Sequence, residues 1–270
     1  MNPSLVGSEM CIRDSITQQA PCFSQEYFPT SMAYAETQSM FFDSLLEDSH
    51  WLKKYAKDLN GQSIPDDLIK KNIHLKQPLK VFSERSILVV PYLEHAIYSQ
   101  EITDPASLKK LARAMEKDIL KLDEAPRPLL TIPHLLGGES ACCYQGYLLA
   151  HMAVYQTRDF FLSRDGYLVD NPNIGPELSK KYWSPGNSIS HSATLKRLCG
   201  QGFDPNYLAK ECNLKPHEKW NKERKQLSNH SDVVSSDLNA SIKEVHGESL
   251  LASNATVSYT HLRAHETRIH

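Results

Sequence analysis

The chain has 270 residues, a formal net charge of -2 and six cysteines. That balance leaves no basic footprint for nucleic acid, and its longest apolar runs, such as SILVVPYL, fall far short of the ~20 residues a membrane helix needs. The cysteines form no CxxC pair, and adjacent Cys142 and Cys143 suit neither a disulfide framework nor a zinc knuckle, so a reducing compartment, the cytoplasm, is expected.

Taken in chain order, helical periodicity dominates. Residues 35–58 read as one amphipathic helix with Met40, Phe41, Leu45, Leu46 and Trp51 on its apolar side. A second helix is expected in SIPDDLIKKNI, with Ser63 as its cap, Pro65 in its first turn and Asp66 and Asp67 behind. PLKVFSERSILVVPYLEHAIYSQ has a helical pattern with Pro91 inside it, which predicts a kink or break. The next helix opens at Asp104-Pro105 and spaces Leu108, Leu111, Met115, Ile119 and Leu122 by threes and fours. A proline-punctuated link follows, then a long helix from about Ser140 to Phe161, and two shorter helices in SISHSATLKRLCG and DPNYLAKECN. No stretch alternates as a strand should, so the fold class is all-α.

The composition changes near residue 222. Residues 222–256 are polar, rich in Ser and Asn and short of aromatics, and are expected to stay disordered because they bury too little apolar area to offset ordering entropy. The two ends, 1–15 and 257–270, resemble peptides translated from sequencing-adapter DNA. They are read as foreign, which leaves 16–221 as the folded part and implies that sequence upstream is missing. His261, His265 and Glu266 imitate a metal cluster and are set aside with that end.

Three stretches carry candidate chemistry. In AYAETQSMFFDSLLEDSHW, positions 36, 40 and 43 share one helix face, which puts Glu36 and Asp43 on a stripe with Met40. An acid there is either a helix-start charge with a solvated companion or a carboxylate offered to a cation. In IPHLLGGESACCYQGYLLAHMAVYQTRDFF, His134 precedes two glycines, and Tyr144 and Tyr147 lie three apart on the following helix. They are either packing residues with wet hydroxyls or donors to a carbonyl oxygen and a developing oxyanion. In YWSPGNSISHSATLKRLCGQGFDP, a turn and a capped helix read as architecture, with His191 as a first-turn surface histidine. Cys142 and Cys143, at the expected start of a helix, are a remote alternative as nucleophiles.

Taken together, these stretches resemble the C-terminal catalytic region of the thimet oligopeptidase and oligoendopeptidase F family of zinc metallopeptidases, over about residues 20–213. The resemblance implies a mainly helical zincin-type catalytic domain that hydrolyses short peptides with a zinc-activated water. It implies Glu36 as a zinc ligand, Asp43 as its outer support, and His134, Tyr144 and Tyr147 on substrate and oxyanion. The family's His-Glu-x-x-His motif, which supplies two imidazole ligands and a base, is absent. LEHA at 93–96 and HLRAHE at 261–266 do not replace it. The chain as it stands is therefore expected to be inactive. The spacing from His134 to Tyr144 is one residue longer than the family pattern, Ser140 stands where many relatives have a tyrosine, and His151 replaces an acid. A metal-free helical interaction module derived from a peptidase is the alternative. Neither reading calls for a nucleic-acid or membrane partner.

Overall fold

The structure is a computed structural model that describes residues 31–99, 104–138, 140–229, 243–246 and 249–253. Both foreign-looking ends lie outside these residues. The fold is all-α: ten α-helices among the described residues, joined by short 3₁₀ and π turns, with one two-stranded hairpin near the end.

Helix α1 (Met32–Asp43) starts where Ser31 Oγ accepts the Tyr34 N–H at 3.3 Å. The single helix expected over 35–58 is broken at Asp48. That residue is extended, and its carboxylate accepts the His50 and Trp51 N–H groups to start α2 (Ser49–Tyr55). A side chain that caps a new helix competes with continuing the old one. Helix α3 (Asp66–Lys76) begins one residue after Pro65. Ser63 pairs in a bridge with Lys57 instead of capping.

Helix α4 (Lys80–Tyr98) runs through Pro91. The carbonyl one turn back loses its donor, yet Val89, Val90 and Leu93 are fully buried around the proline. Packing on both sides outweighs one lost hydrogen bond. Helix α5 (Pro105–Met115) starts as its sequence predicts, with Asp104 accepting the Ser107 N–H at 2.8 Å.

The long helix α6 (Gln145–Asp165) begins five residues later than expected, because 140–144 form a chain of turns. It is the centre of the fold, contacted by α1, α4, α8 (His191–Cys199) and α9 (Asn206–Asn213), while the short α7 (Ile174–Glu177) leads into a π turn over 178–183. One core joins α1 and α6 to Leu168, Tyr182, Trp183 and Leu195. A second lies between α4, α5 and residues 120–135, and Tyr144 packs against both.

Helix α10 (Pro216–Asn229) crosses the boundary expected at residue 222. The folded unit therefore extends past 221, and the reason is charge pairing, which composition does not display. Glu223 is 1% exposed, accepts the Ser49 N–H at 3.1 Å and pairs with Lys219 at 2.9 Å. Beyond it, β1 (Lys243–His246) and β2 (Ser249–Ser253) pair antiparallel within the stretch expected to lack structure.

Candidate active site

The site begins where α1 and α6 touch. A Cβ on Gly146 would stand 2.9 Å from Met32 Cβ and 3.1 Å from the Ala33 nitrogen, so only glycine lets the two helix starts approach this closely. One residue on, Tyr147 is brought against Glu36, one turn into α1. Glu36 is 7% exposed, and Ser39 Oγ donates to its Oε2 at 3.0 Å. Burial raises the Glu36 carboxyl above its ordinary range, and the hydroxyls of Ser39 and Tyr147 oppose that rise. Tyr147 responds in kind. Its phenol is pushed up to about 12 by burial and by the neighbouring Glu36 charge, so it is a neutral donor at pH 7.

His134 enters from a separate segment, a 3₁₀ turn over 133–135 started by Pro133. Its Nε2 lies 3.2 Å from the Tyr147 hydroxyl. The Tyr144 ring stands edge-on to His134 at 5.1 Å and 5.0 Å from the Tyr147 ring. Burial also raises the Tyr144 phenol, with Arg127 opposing and Glu94 adding to the rise. One carboxylate, two neutral phenols and an imidazole from three segments thus share one small region. Such a set can hold a carbonyl oxygen and donate to negative charge as it develops there.

Asp43 is not part of this cluster. It ends α1, exposed, and lines a cleft of about 390 Å³ with Met40, Lys80, Glu84, His151 and Tyr155. His151, where an acid was expected, pairs with Glu84 at 2.9 Å. The cleft lies between the end of α1, the start of α4 and α6, and Glu36 does not line it.

His191 is not a surface residue. It is 7% exposed, and its ring meets Tyr34, Tyr182 and Phe203 edge-on. The Tyr182 hydroxyl bonds Nε2, and Nδ1 has no partner among the described residues. Burial depresses its pKa to about 3, so it stays neutral. Its position at the first turn of α8 suggested exposure, but the π turn carrying Tyr182 folds over it. Cys142 also departs from its remote role as a nucleophile. Desolvation, Glu94 and Cys143 all raise its thiol, the wrong direction for thiolate attack, and no helix starts there.

Sequence reasoning overlooked Glu94, which is 2% exposed inside α4 and accepts the Cys142 N–H at 2.7 Å. The signal was present: Glu94 falls four and five residues after Val90 and Val89, on the buried side of the helix.

No family model matches the chain, and no curated protein matches it. Among solved structures, the crystal structure of BsuCP superposes with a TM-score of 0.58 at 18% identity, covering 82% of this chain and 47% of BsuCP. The chain spans about half the length of that structure. At this identity the likeness establishes the helical fold.

Proposed function

We propose that this chain is part of a zinc-dependent oligopeptidase acting on short peptides, and that it carries the oxyanion and substrate side of the site. The observation that supports the reading is the convergence of Glu36, Tyr147, His134 and Tyr144. These residues span 36 to 147 in sequence and meet through the contacts of Tyr147 and His134. Their roles follow from their protonation. Tyr144 holds its proton at pH 7 and donates it to the carbonyl oxygen of the peptide, while Tyr147, set between the Glu36 carboxylate and His134 Nε2, turns its hydroxyl from Glu36 to the same oxygen as charge develops there. A donor aimed at developing charge in a water-poor site is typically worth ~3 kcal/mol of barrier.

The residues present do not fit a zinc centre by themselves. No group of three or more His, Cys, Asp or Glu able to hold a metal occurs among the described residues, and Glu36 has only hydroxyl neighbours. One carboxylate is too few donors for zinc. The proposal therefore assigns the remaining ligands, two imidazoles, and the water-activating base to a segment outside this chain, and it expects this chain alone to be inactive. The cytoplasm is the proposed compartment. Among the described residues no helix is long and apolar enough to cross a membrane.

The test is to extend the coding sequence upstream and purify the extended protein. A His-Glu-x-x-His motif ahead of Glu36, about one zinc per chain by elemental analysis, and a loss of zinc in Glu36→Gln are expected. Unchanged zinc in that variant removes Glu36 from the site. The incomplete donor set also favours a second reading, a metal-free helical interaction module, and an intact reading frame without the motif would establish that reading instead.

A further inference from the structure

Glu94 has no part in the chemistry just proposed, yet its setting is unusual. It is an acid 2% exposed near the C-terminal end of α4, with Leu93 and Ala96 on the same buried side. One carboxylate oxygen, Oε1, accepts the Cys142 N–H at 2.7 Å, and the other, Oε2, is buried with no partner among the described residues. A buried carboxylate that satisfies only half of its acceptors is costly, so the half it does satisfy carries its use.

Cys142 is equally out of the ordinary. Its φ is 58°, in the left-handed region that side chains other than glycine rarely adopt. The turns around it hold themselves through backbone bonds: Ala141 N–H to Gly137 O at 2.8 Å, Cys143 N–H to Ser140 O at 3.3 Å, and Gly146 N–H to Cys143 O at 2.9 Å. Two side chains tie the left-handed residue to helices: Gln145 at the start of α6 donates to the Cys142 carbonyl at 2.8 Å, and Glu94 on α4 accepts the Cys142 N–H, the bond that reaches across to a separate helix. Two residues on stands Tyr144, edge-on to His134 and packed against both cores.

We infer that Glu94 is a positioning residue: by accepting the Cys142 N–H it holds the turn at Cys142 in its left-handed form and so sets Tyr144 over His134. Its bearing on chemistry rests on the proposed function, but the holding itself is a property of this chain and is read without substrate or metal.

The reach and the charge of Glu94 separate cleanly in two mild variants. Glu94→Asp keeps the charge and withdraws the acceptor by one methylene, beyond hydrogen-bonding distance. Glu94→Gln keeps the length and the accepting oxygen and removes the charge, whose direct effect on the Tyr144 phenol is a small shift without broadening. The full chain labelled with 3-fluorotyrosine is measured by fluorine NMR, with the Tyr144 resonance assigned by its loss in Tyr144→Phe. Glu94→Asp is expected to shift or broaden the Tyr144 resonance, and Glu94→Gln to leave it near its original place. Adding Cys142→Gly to Glu94→Asp is expected to bring the resonance back, because glycine adopts φ near 58° without the clasp. A Tyr144 resonance unmoved by Glu94→Asp, or moved as far by Glu94→Gln as by Glu94→Asp, overturns the inference. Both results leave the peptidase proposal where its own zinc test puts it.

Discussion

At the scale of single residues, the site works through protonation states that burial sets. Tyr144 and Tyr147 are phenols at pH 7 as any tyrosine is, and desolvation, with Glu36 adding to it at Tyr147, keeps them so to higher pH. Under the proposed function, Tyr144→Phe in the upstream-extended protein is expected to lower kcat about 10²-fold with KM little changed, since it would remove a donor to charge developing on the carbonyl. A raised KM at unchanged kcat would reassign Tyr144 to substrate binding. His191 offers a test in this chain alone. Folded, it resists protonation until about pH 3, whereas unfolded it takes a proton near pH 6.5. Its contribution to stability is therefore complete above pH 6.5 and is lost as pH falls toward 3, by up to ~1.4 kcal/mol per pH unit. Urea midpoints measured between pH 7 and pH 4 should fall less steeply in His191→Phe than in the parent chain; parallel slopes would place the acid sensitivity elsewhere.

Among the elements, two junctions decide whether the site exists. The first is the contact of α1 with α6 at Gly146, where an added methyl meets Met32 Cβ at 2.9 Å. Gly146→Ala should lower stability by ~1–3 kcal/mol in denaturant unfolding, because the two helix starts must separate to admit the methyl. It should also loosen Tyr147 from Glu36. The second junction is ionic and buried. Arg158 on α6 donates to Asp48 at 3.0 Å and to Ser44 Oγ at 2.9 Å, while Asp48 caps α2. The two side chains are 9% and 1% exposed, so removing the cation strands a buried carboxylate. Arg158→Met is expected to destabilise the chain by ~3–5 kcal/mol, and Asp48→Asn added to it should recover part of that loss. Neither junction was legible beforehand. Gly146 is marked only by the distant Met32 it must approach, and Arg158 and Asp48 lie 110 residues apart.

Over the whole molecule, the helical class, the cap at Asp104, the first-turn acids of α3 and the short helices α8 and α9 were legible because they rest on neighbours within one or two turns. The limit of the packed unit was not. Composition put it at residue 221, whereas Glu223 ties α10 to the start of α2. A chain ending at 221 should therefore melt well below one ending at 229, and equal melting temperatures would return the boundary to 221. The candidate site divides along the same line. Residue type and order, with the family resemblance, nominated Glu36, His134, Tyr144 and Tyr147, but the helix expected to carry both tyrosines starts at Gln145 and leaves Tyr144 in the preceding turn. The sequence by itself determined a helical chain with an acid, a histidine and two tyrosines set in stretches resembling an oligopeptidase. Tertiary structure alone decided that those four groups meet while Asp43 stays apart, that His191 is buried, and that Glu94 clasps the turn before Tyr144. The physical reason is range: a cap or an apolar stripe is settled by residues a few positions away, but burial, close helix approach and long-range hydrogen bonds depend on which distant surfaces pack together.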